Sequence, residues 1–233
     1  MPARIAVLAS GNGTNLQAIL DHFDQLGDGR PGQVVLVASD RAGSGALGRA
    51  LVRGIPAAVI HTSAASGGDE LSDLLSTYEV DLVVLAGYLR LVPTHVVHEF
   101  AGRIINIHPS LLPSFGGSGM YGARVHQAVL DSGATITGVT IHFVTDAYDR
   151  GAIIAQWPVP VLRDDDVRTL SARVLRIEHL VFPRVVAAVA ATATGSRLNA
   201  RLTTGGASVF TLVEHGDDAI ADEIGRIMHD CAG

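Results

Sequence analysis

The segment Ile105-Asn106-Ile107-His108-Pro109 combines two side chains that suit acyl chemistry. A side-chain amide can donate a hydrogen bond to a developing oxyanion, and an imidazole can move a proton near neutral pH. Because side chains alternate along an extended chain, Asn106 and His108 are expected on the same side of the backbone. From the residues alone, a polar strand end that enters a proline-stiffened loop is an equally good interpretation.

A second segment, Ser10–Leu16, places two glycines between an apolar run and a helical pattern. Glycines let the backbone approach a ligand, and a helix N-terminus presents free N–H groups to an anion, which predicts a phosphate site. The alternative is a tight turn in which Thr14 caps the helix. A dinucleotide site is disfavoured because Leu16 replaces the third glycine of that pattern, although Asp40 could imitate its ribose-binding acid.

A third segment, Thr145–Gly151, carries Asp146 and Asp149 between two apolar runs. Aspartates in such loops usually serve as turn formers. One of them could instead lie beside His108, where a carboxylate would stabilise the protonated imidazole and raise its pKa. The residues alone leave both interpretations open.

The elements that must position these segments follow from the hydrophobic pattern. Strands are predicted at Ile5–Ala9, Val34–Ala38, Ala57–Ile60 and Leu82–Ala86, and helices at about 45–53, 69–77 and 125–130. A helix is also predicted directly after the glycine turn, with one apolar face made of Leu16, Ile19, Leu20 and Phe23. This alternation predicts one α/β domain with a mostly parallel, twisted sheet flanked by helices. Further along, Ile136–Val144 and Ala152–Val161 are expected to be neighbouring strands, and a long helix begins near Val167. The glycine-rich stretch Pro113–Gly122 is predicted to be a mobile loop.

Composition excludes several classes of protein. Hydrophobic residues make up 48% of the 233 and charged residues 17%, which excludes disorder over most of the length. A net charge of -6 argues against a nucleic-acid partner. The single cysteine, Cys231, permits no disulfide or redox pair, and no histidine or carboxylate spacing predicts a metal. Without a signal sequence or an apolar run of about 20 residues, a soluble cytoplasmic protein without membrane partners is expected.

Several strings, in this order, resemble the glycinamide ribonucleotide formyltransferase family of purine biosynthesis over about residues 4–190. They are Leu8-Ala9-Ser10-Gly11-Asn12-Gly13-Thr14-Asn15-Leu16-Gln17, Val84-Leu85-Ala86-Gly87-Tyr88-Leu89-Arg90, Ile105-Asn106-Ile107-His108-Pro109-Ser110-Leu111-Leu112-Pro113, His142-Phe143-Val144-Thr145-Asp146 through Asp149, and Glu178-His179. The resemblance implies a formyltransferase-type fold with a Rossmann-like N-terminal half. It also implies transfer of the formyl group of 10-formyltetrahydrofolate, the cosubstrate, to the amino group of 5-phosphoribosylglycinamide, without a metal.

The resemblance implies roles for individual residues. Asn106 and His108 would be the catalytic pair, with Asn106 stabilising the oxyanion and Asp149 raising the pKa of His108. The substrate phosphate and ribonucleotide would be bound by Gly13, Thr14, Asn15 and Glu178. The folate pocket would be lined by Leu89, Arg90, Leu91, Val92, Thr145, Asp146, Ala147 and Tyr148. Without the resemblance, Glu178 would be interpreted as part of a solvated helix face.

The predicted organisation is a formyltransferase domain over residues 1–195, with a phosphate-binding half to about 100 and a catalytic, folate-binding half over 101–195. Residues 196–233 are an appendage of unknown role, and the protein is a monomer or homodimer. Two departures from the family pattern are the segment Ser114–Gly122, which resembles a variant subgroup, and the lack of an arginine in Ala64–Asp69. The alternatives are a formyltetrahydrofolate hydrolase or another formyltransferase relative and, from a different class, a non-catalytic nucleotide-binding domain.

Overall fold

A computed structural model describes residues 1–61 and 67–193, in which a seven-stranded sheet forms the centre of the molecule. The strand order is β3-β2-β1-β4-β5-β6-β7. The strands are β1 (Ala3–Leu8), β2 (Gly32–Ser39), β3 (Ala57–Val59), β4 (Leu82–Leu85), β5 (Ile104–His108), β6 (Ile136–Phe143) and β7 (Ile153–Pro160). The first five strands are parallel, whereas β6 and β7 are antiparallel to their neighbours. The predicted α/β class with a mostly parallel sheet is confirmed.

Six helices and a short 3-10 turn at Gly27–Gly29 complete the described fold. The helices are α1 (Thr14–Leu26), α2 (Gly45–Val52), α3 (Gly67–Thr77), α4 (Thr94–Glu99), α5 (Ala123–Asp131) and α6 (Val167–Ala193). The sequence pattern did not predict α4, because six residues make fewer than two turns and are too short for a periodic apolar stripe.

Apolar side chains fill both faces of the sheet, as parallel strands require. One core cluster joins the sheet to α1, α2, α5 and α6, and the other joins it to α3 and α4. The predicted apolar face of α1 is confirmed, since its members are all buried: Leu16, Ile19, Leu20 and Phe23.

Helix α6 crosses the sheet over 27 residues and carries one of the predicted site residues, Glu178. Its first turns are fixed by a bidentate ion pair in which Arg173 donates to Asp165 at 2.6 and 2.8 Å. The sequence pattern predicts a strand at 207–213 and a short helix at 219–228 within the appendage from 196, and all of these lie outside the described residues. Among the helices of residues 1–61 and 67–193, none is long and apolar enough to cross a membrane.

Candidate active site

Strands β5 and β6 bring the chemistry-bearing side chains together. Asn106 and His108 both lie within β5, and both line a cleft at the carboxyl ends of β4 and β5. The antiparallel register places His142 of β6 directly opposite Asn106. The Nδ2 of Asn106 lies 3.1 Å from the Nε2 of His142. The expected common side of Asn106 and His108 is therefore confirmed, and His142 joins them.

The hydrogen bonds fix which imidazole nitrogen carries a proton in each neutral histidine. The Nδ1 of His142 lies 2.8 Å from the carbonyl oxygen of Phe143, which can only accept, so Nδ1 donates and Nε2 accepts from the Asn106 amide. Likewise, the Nε2 of His108 donates to the carbonyl of Phe115 at 2.9 Å. The Nδ1 of His108 is then the nitrogen that faces Asp149.

Asp149 lies between the two imidazoles. Its Oδ2 is 3.7 Å from the Nδ1 of His108, and its Oδ1 is 3.6 Å from the Nε2 of His142. The carboxylate also accepts the N–H of Gly117 at 2.8 Å, and its side chain is 11% exposed. The backbone of Asp149 is left-handed, with φ of 53°, which is uncommon outside glycine. Asp149 is thus the aspartate of the 145–151 loop that meets His108.

The balance of charge and burial at His108 differs in part from the expectation. Burial lowers the pKa of His108 below its ordinary value, and the Asp149 carboxylate opposes only part of that shift. Asp149 therefore acts in the predicted direction, but the net pKa is lowered because the imidazole is almost completely buried. In the absence of ligands the neutral form of His108 is favoured at neutral pH.

Asp149 itself remains an anion. Burial raises the pKa of its carboxyl group, but the neighbouring His142 imidazole, the hydrogen bond from the Gly117 N–H and the positive charge that either imidazole can carry bring it below its usual value. A further buried histidine, His126 of α5, has its pKa lowered to about 4, first by burial and then by the charge of His108. It is neutral at physiological pH.

The cleft beside these residues has a volume of about 160 Å³ and contains most of the predicted folate-binding set. Its lining includes Leu89, Arg90, Leu91, Val92, Thr145, Ala147 and Tyr148. Asp146 is not part of that lining, because its carboxylate accepts from the Nε2 of His98 at 2.9 Å. Residues of the glycine-rich loop, among them Met120 and Tyr121, form the opposite wall.

The predicted phosphate turn lies one strand away, at the carboxyl end of β1. Gly13 adopts φ of 72° and precedes the first residue of α1. Gly13, rather than Thr14, occupies the cap position of this helix, so the cap predicted in the tight-turn alternative is wrong. Ser10, at the start of the turn, accepts the N–H of Leu89 at 2.9 Å, so the turn is bonded to the cleft wall.

Glu178 of α6 reaches the start of α1, which lies in the same core cluster. Its Oε2 accepts the Nδ2 of Asn15 at 2.7 Å, and the residue is 7% exposed. The interpretation as a solvated helix face is therefore wrong. Burial raises the pKa of Glu178 to about 7, against a smaller lowering by the Asn15 amide.

Asp40, the ribose-binding acid of the nucleotide-binding alternative, has a side chain only 6% exposed, with Oδ2 3.4 Å from the Nε of Arg90.

Two histidines of this region were not singled out from the sequence. From the sequence alone, the position of His142 in a predicted strand favours a structural histidine, and His126 makes no ligand spacing with other histidines. The pairing of β5 with β6 was not predicted, and only that pairing places His142 opposite Asn106. The end of β6 and the following loop do carry a signal, since His142 precedes Asp149 within the string that resembles the formyltransferases.

Comparison with known proteins agrees with this architecture. A family model described as formyl transferase matches residues 3–186. A chloroplastic phosphoribosylglycinamide formyltransferase of Arabidopsis thaliana is 44% identical over 192 residues, covering 80% of this chain and 65% of that protein. The phosphoribosylglycinamide formyltransferase of Haemophilus influenzae is 38% identical over 189 residues, covering 78% of this chain and 85% of that protein.

A solved structure supports the same relationship. Glycinamide ribonucleotide transformylase 1 from Symbiobacterium toebii superposes with a TM-score of 0.75 at 42% identity, covering 81% of this chain and 88% of that one. The chain spans slightly less than two thirds of the Arabidopsis relative and most of the bacterial ones. The chain therefore belongs to the formyl transferase family, and within it to the phosphoribosylglycinamide formyltransferases.

Proposed function

We propose that the protein transfers the formyl group of 10-formyltetrahydrofolate to the amino group of 5-phosphoribosylglycinamide. The observation that carries the proposal is the arrangement of Asn106 and His108 on one side of β5, with the Asp149 carboxylate 3.7 Å from the imidazole. An amide donor, an imidazole and an anion in contact are the groups that acyl transfer to an amine requires.

The proposed reaction begins when the neutral amine attacks the formyl carbon. The carbonyl oxygen then becomes an oxyanion, and Asn106 donates a hydrogen bond to it. An amide nitrogen carries two N–H groups, so the bond to His142 leaves the second for the oxyanion. Removing one such donor from an acyl-transfer site typically costs about 10²–10³ in rate.

His108 then moves the proton that the attacking amine must lose. The neutral imidazole accepts it, and the neighbouring Asp149 stabilises the resulting imidazolium. The proton passes to the folate nitrogen as the bond between that nitrogen and the formyl carbon breaks. The amine thus loses one proton, the folate nitrogen gains one, and the formyl group changes partners. Because burial lowers the pKa of His108, the imidazole is available in its neutral form and, once protonated, is a strong proton donor.

Both substrates have matching surfaces on the chain. The phosphate is assigned to the N–H groups at Gly13, Thr14 and Asn15, where a helix N-terminus favours an anion. The ribonucleotide also meets Glu178. The folate is assigned to the cleft beside His108, whose lining is mainly apolar with a few polar groups, as a ring system requires.

One assay tests the proposal. The protein is incubated with 10-formyltetrahydrofolate, with and without 5-phosphoribosylglycinamide, and tetrahydrofolate release is followed by absorbance. We expect release only when the ribonucleotide is present, with one formylated product per folate released. Equal release in both tubes would identify a hydrolase instead. No release in either tube, with folded protein, would refute the proposal.

A further inference from the structure

The β1–α1 turn is held from outside by the start of α2. We propose that Ser44 and Arg49 are positioning residues for the ribonucleotide: they orient the peptide groups of Gly11 and Asn12, and thereby set the affinity for the substrate phosphate. The inference rests on the proposed function, because it concerns the phosphate site assigned there.

Both carbonyl groups in the middle of the turn are bonded to the α2 segment. The carbonyl of Gly11 accepts the Ser44 hydroxyl at 3.0 Å and the N–H of Ala46 at 3.3 Å. The carbonyl of Asn12 accepts the Nε–H of Arg49 at 2.9 Å. The turn therefore directs two acceptors toward α2, where their partial negative charge is neutralised by donors.

The direction of these carbonyls fixes the direction of two N–H groups. In a trans peptide the C=O and N–H bonds point to opposite sides. The N–H of Asn12 shares its peptide group with the Gly11 carbonyl, and the N–H of Gly13 shares its group with the Asn12 carbonyl. Both N–H groups therefore point away from α2. The N–H groups of residues 14–16 lie ahead of the first helical bond, in which Gln17 donates to Gly13 at 2.9 Å.

The contact between the turn and α2 has no spare room. A Cβ added at Gly13 would lie 2.6 Å from the Cα of Ala46, and one added at Gly45 would lie 2.9 Å from the Asn12 carbonyl oxygen. Such distances require the backbone to shift. The two glycines thus allow the close approach that brings Ser44 and Arg49 within hydrogen-bond distance of the turn.

Arg49 also fixes the turn relative to the helix that follows it. Its Nη1 donates to the side-chain oxygen of Gln17 at 2.9 Å, so one guanidinium bonds both the turn and α1. A lysine cannot reproduce two such directed bonds. The charge of Arg49 also reaches α6: burial lowers the pKa of His179, and Arg49 lowers it further.

The test compares steady-state constants for Ser44→Ala, Arg49→Gln and Arg49→Lys with those of the wild type. The control is Arg53→Gln at the end of α2, because Arg53 pairs with Asp21 and Asp24 rather than with the turn. We expect KM for the ribonucleotide to rise about tenfold in Arg49→Gln and about threefold in Ser44→Ala, as the loss of one charged and one neutral hydrogen bond predicts. The turnover number, KM for the folate and the Arg53→Gln constants should stay within about twofold.

Two further measurements separate positioning from general destabilisation. Inorganic phosphate, used as a competitive inhibitor, should weaken in parallel with the ribonucleotide in both variants, and Ser44→Thr, which keeps the hydroxyl, should restore the wild-type KM. Arg49→Lys should resemble Arg49→Gln, because geometry rather than charge is the proposed cause. Unchanged ribonucleotide KM in Arg49→Gln, or an equal loss for both substrates, would overturn the inference. A wild type without ribonucleotide-dependent turnover would instead refute the proposed function.

Discussion

Two largely buried carboxylates lie at opposite ends of the candidate site, and their pKa values are shifted in opposite directions. Burial alone would raise both. Asp149 nevertheless has a lowered pKa, whereas the pKa of Glu178 rises to about 7. Asp149 accepts a backbone N–H from Gly117 and faces two imidazoles, while Glu178 is bonded to the neutral amide of Asn15.

The difference shows that the donors around a buried carboxylate, rather than burial, decide its charge. The Asp149 end is built to hold a constant negative charge beside His108. The Glu178 end holds a carboxyl group that can change its charge within the physiological range, when a substrate with its own donors arrives.

The largest expected effect is at Asp149. In Asp149→Asn we expect kcat to fall by about 10²–10⁴, the usual size of a general acid–base contribution. Because the Asp149 charge raises the pKa of His108, its removal should also move the His108 limb of the pH–rate profile to lower pH. The measurement is kcat from pH 5 to 9, with the surface variant Asp131→Asn as control. Normal kcat and an unchanged profile would remove Asp149 from the mechanism.

The second prediction concerns stability at the Glu178 end. A carboxyl group whose folded pKa is raised from 4.5 to about 7 contributes stability that is complete below 4.5 and is lost as pH rises through 7. The shift corresponds to about 3 kcal/mol in the free energy of unfolding. Glu178→Gln should therefore be the more stable protein at pH 8 and show a flatter profile.

Denaturant unfolding between pH 5 and 8 measures this difference. The matched control is Glu79→Gln, because the Glu79 side chain is 82% exposed and its replacement should leave the wild-type profile unchanged. If Glu178→Gln unfolds with the same pH dependence as the wild type, burial does not raise the pKa of Glu178.

The third prediction is functional. If the ribonucleotide binds the charged form of Glu178, its KM should fall in the wild type as pH rises through 7. Glu178→Gln should remove that dependence and raise KM about tenfold at pH 8, as the loss of a charged hydrogen bond predicts. Initial rates at varied ribonucleotide and saturating folate give both quantities. If KM for the folate changes tenfold instead, Glu178 binds the folate rather than the ribonucleotide, and the prediction is wrong.

The smallest expected effect is at His142. His142→Asn keeps a donor near the position of Nδ1 but removes the Nε2 that contacts Asn106 and Asp149. We expect kcat to fall about threefold to tenfold, the cost of one neutral hydrogen bond, with both KM values unchanged. A loss as large as that of Asp149→Asn would show that His142 itself carries the proton.

The sequence predicted the parallel half of the fold well. Strands β1, β2 and β4 and helix α1 have continuous or periodic apolar patterns, because each of them is buried on both faces or along one stripe. The long helix α6 and the strand pair β6–β7 were predicted for the same reason. Asn106 and His108 were placed on one side by simple alternation.

The rest depended on contacts that no local pattern records. His142 meets Asn106 only because β6 turns back antiparallel to β5. Glu178 is hydrogen-bonded to Asn15, although 163 residues separate the two positions along the chain. The helices that carry them look independent in the sequence. The lowered pKa of His108 was likewise unpredictable, since the opposing effects of burial and Asp149 can be weighed only when both are in place.

The strand order has a consequence for substrate selection. The phosphate turn follows β1 and the catalytic pair ends β5, and β4 alone lies between these strands. Neighbouring strands are about 4.8 Å apart, so the two sites are separated laterally by roughly 10 Å of hydrogen-bonded sheet that cannot stretch. Under the proposed function, the spacing of the two sites therefore selects the acceptor substrate by its length. If the amine of a substrate is too near to its phosphate, or too far from it, the amine cannot reach His108 even when each end binds well.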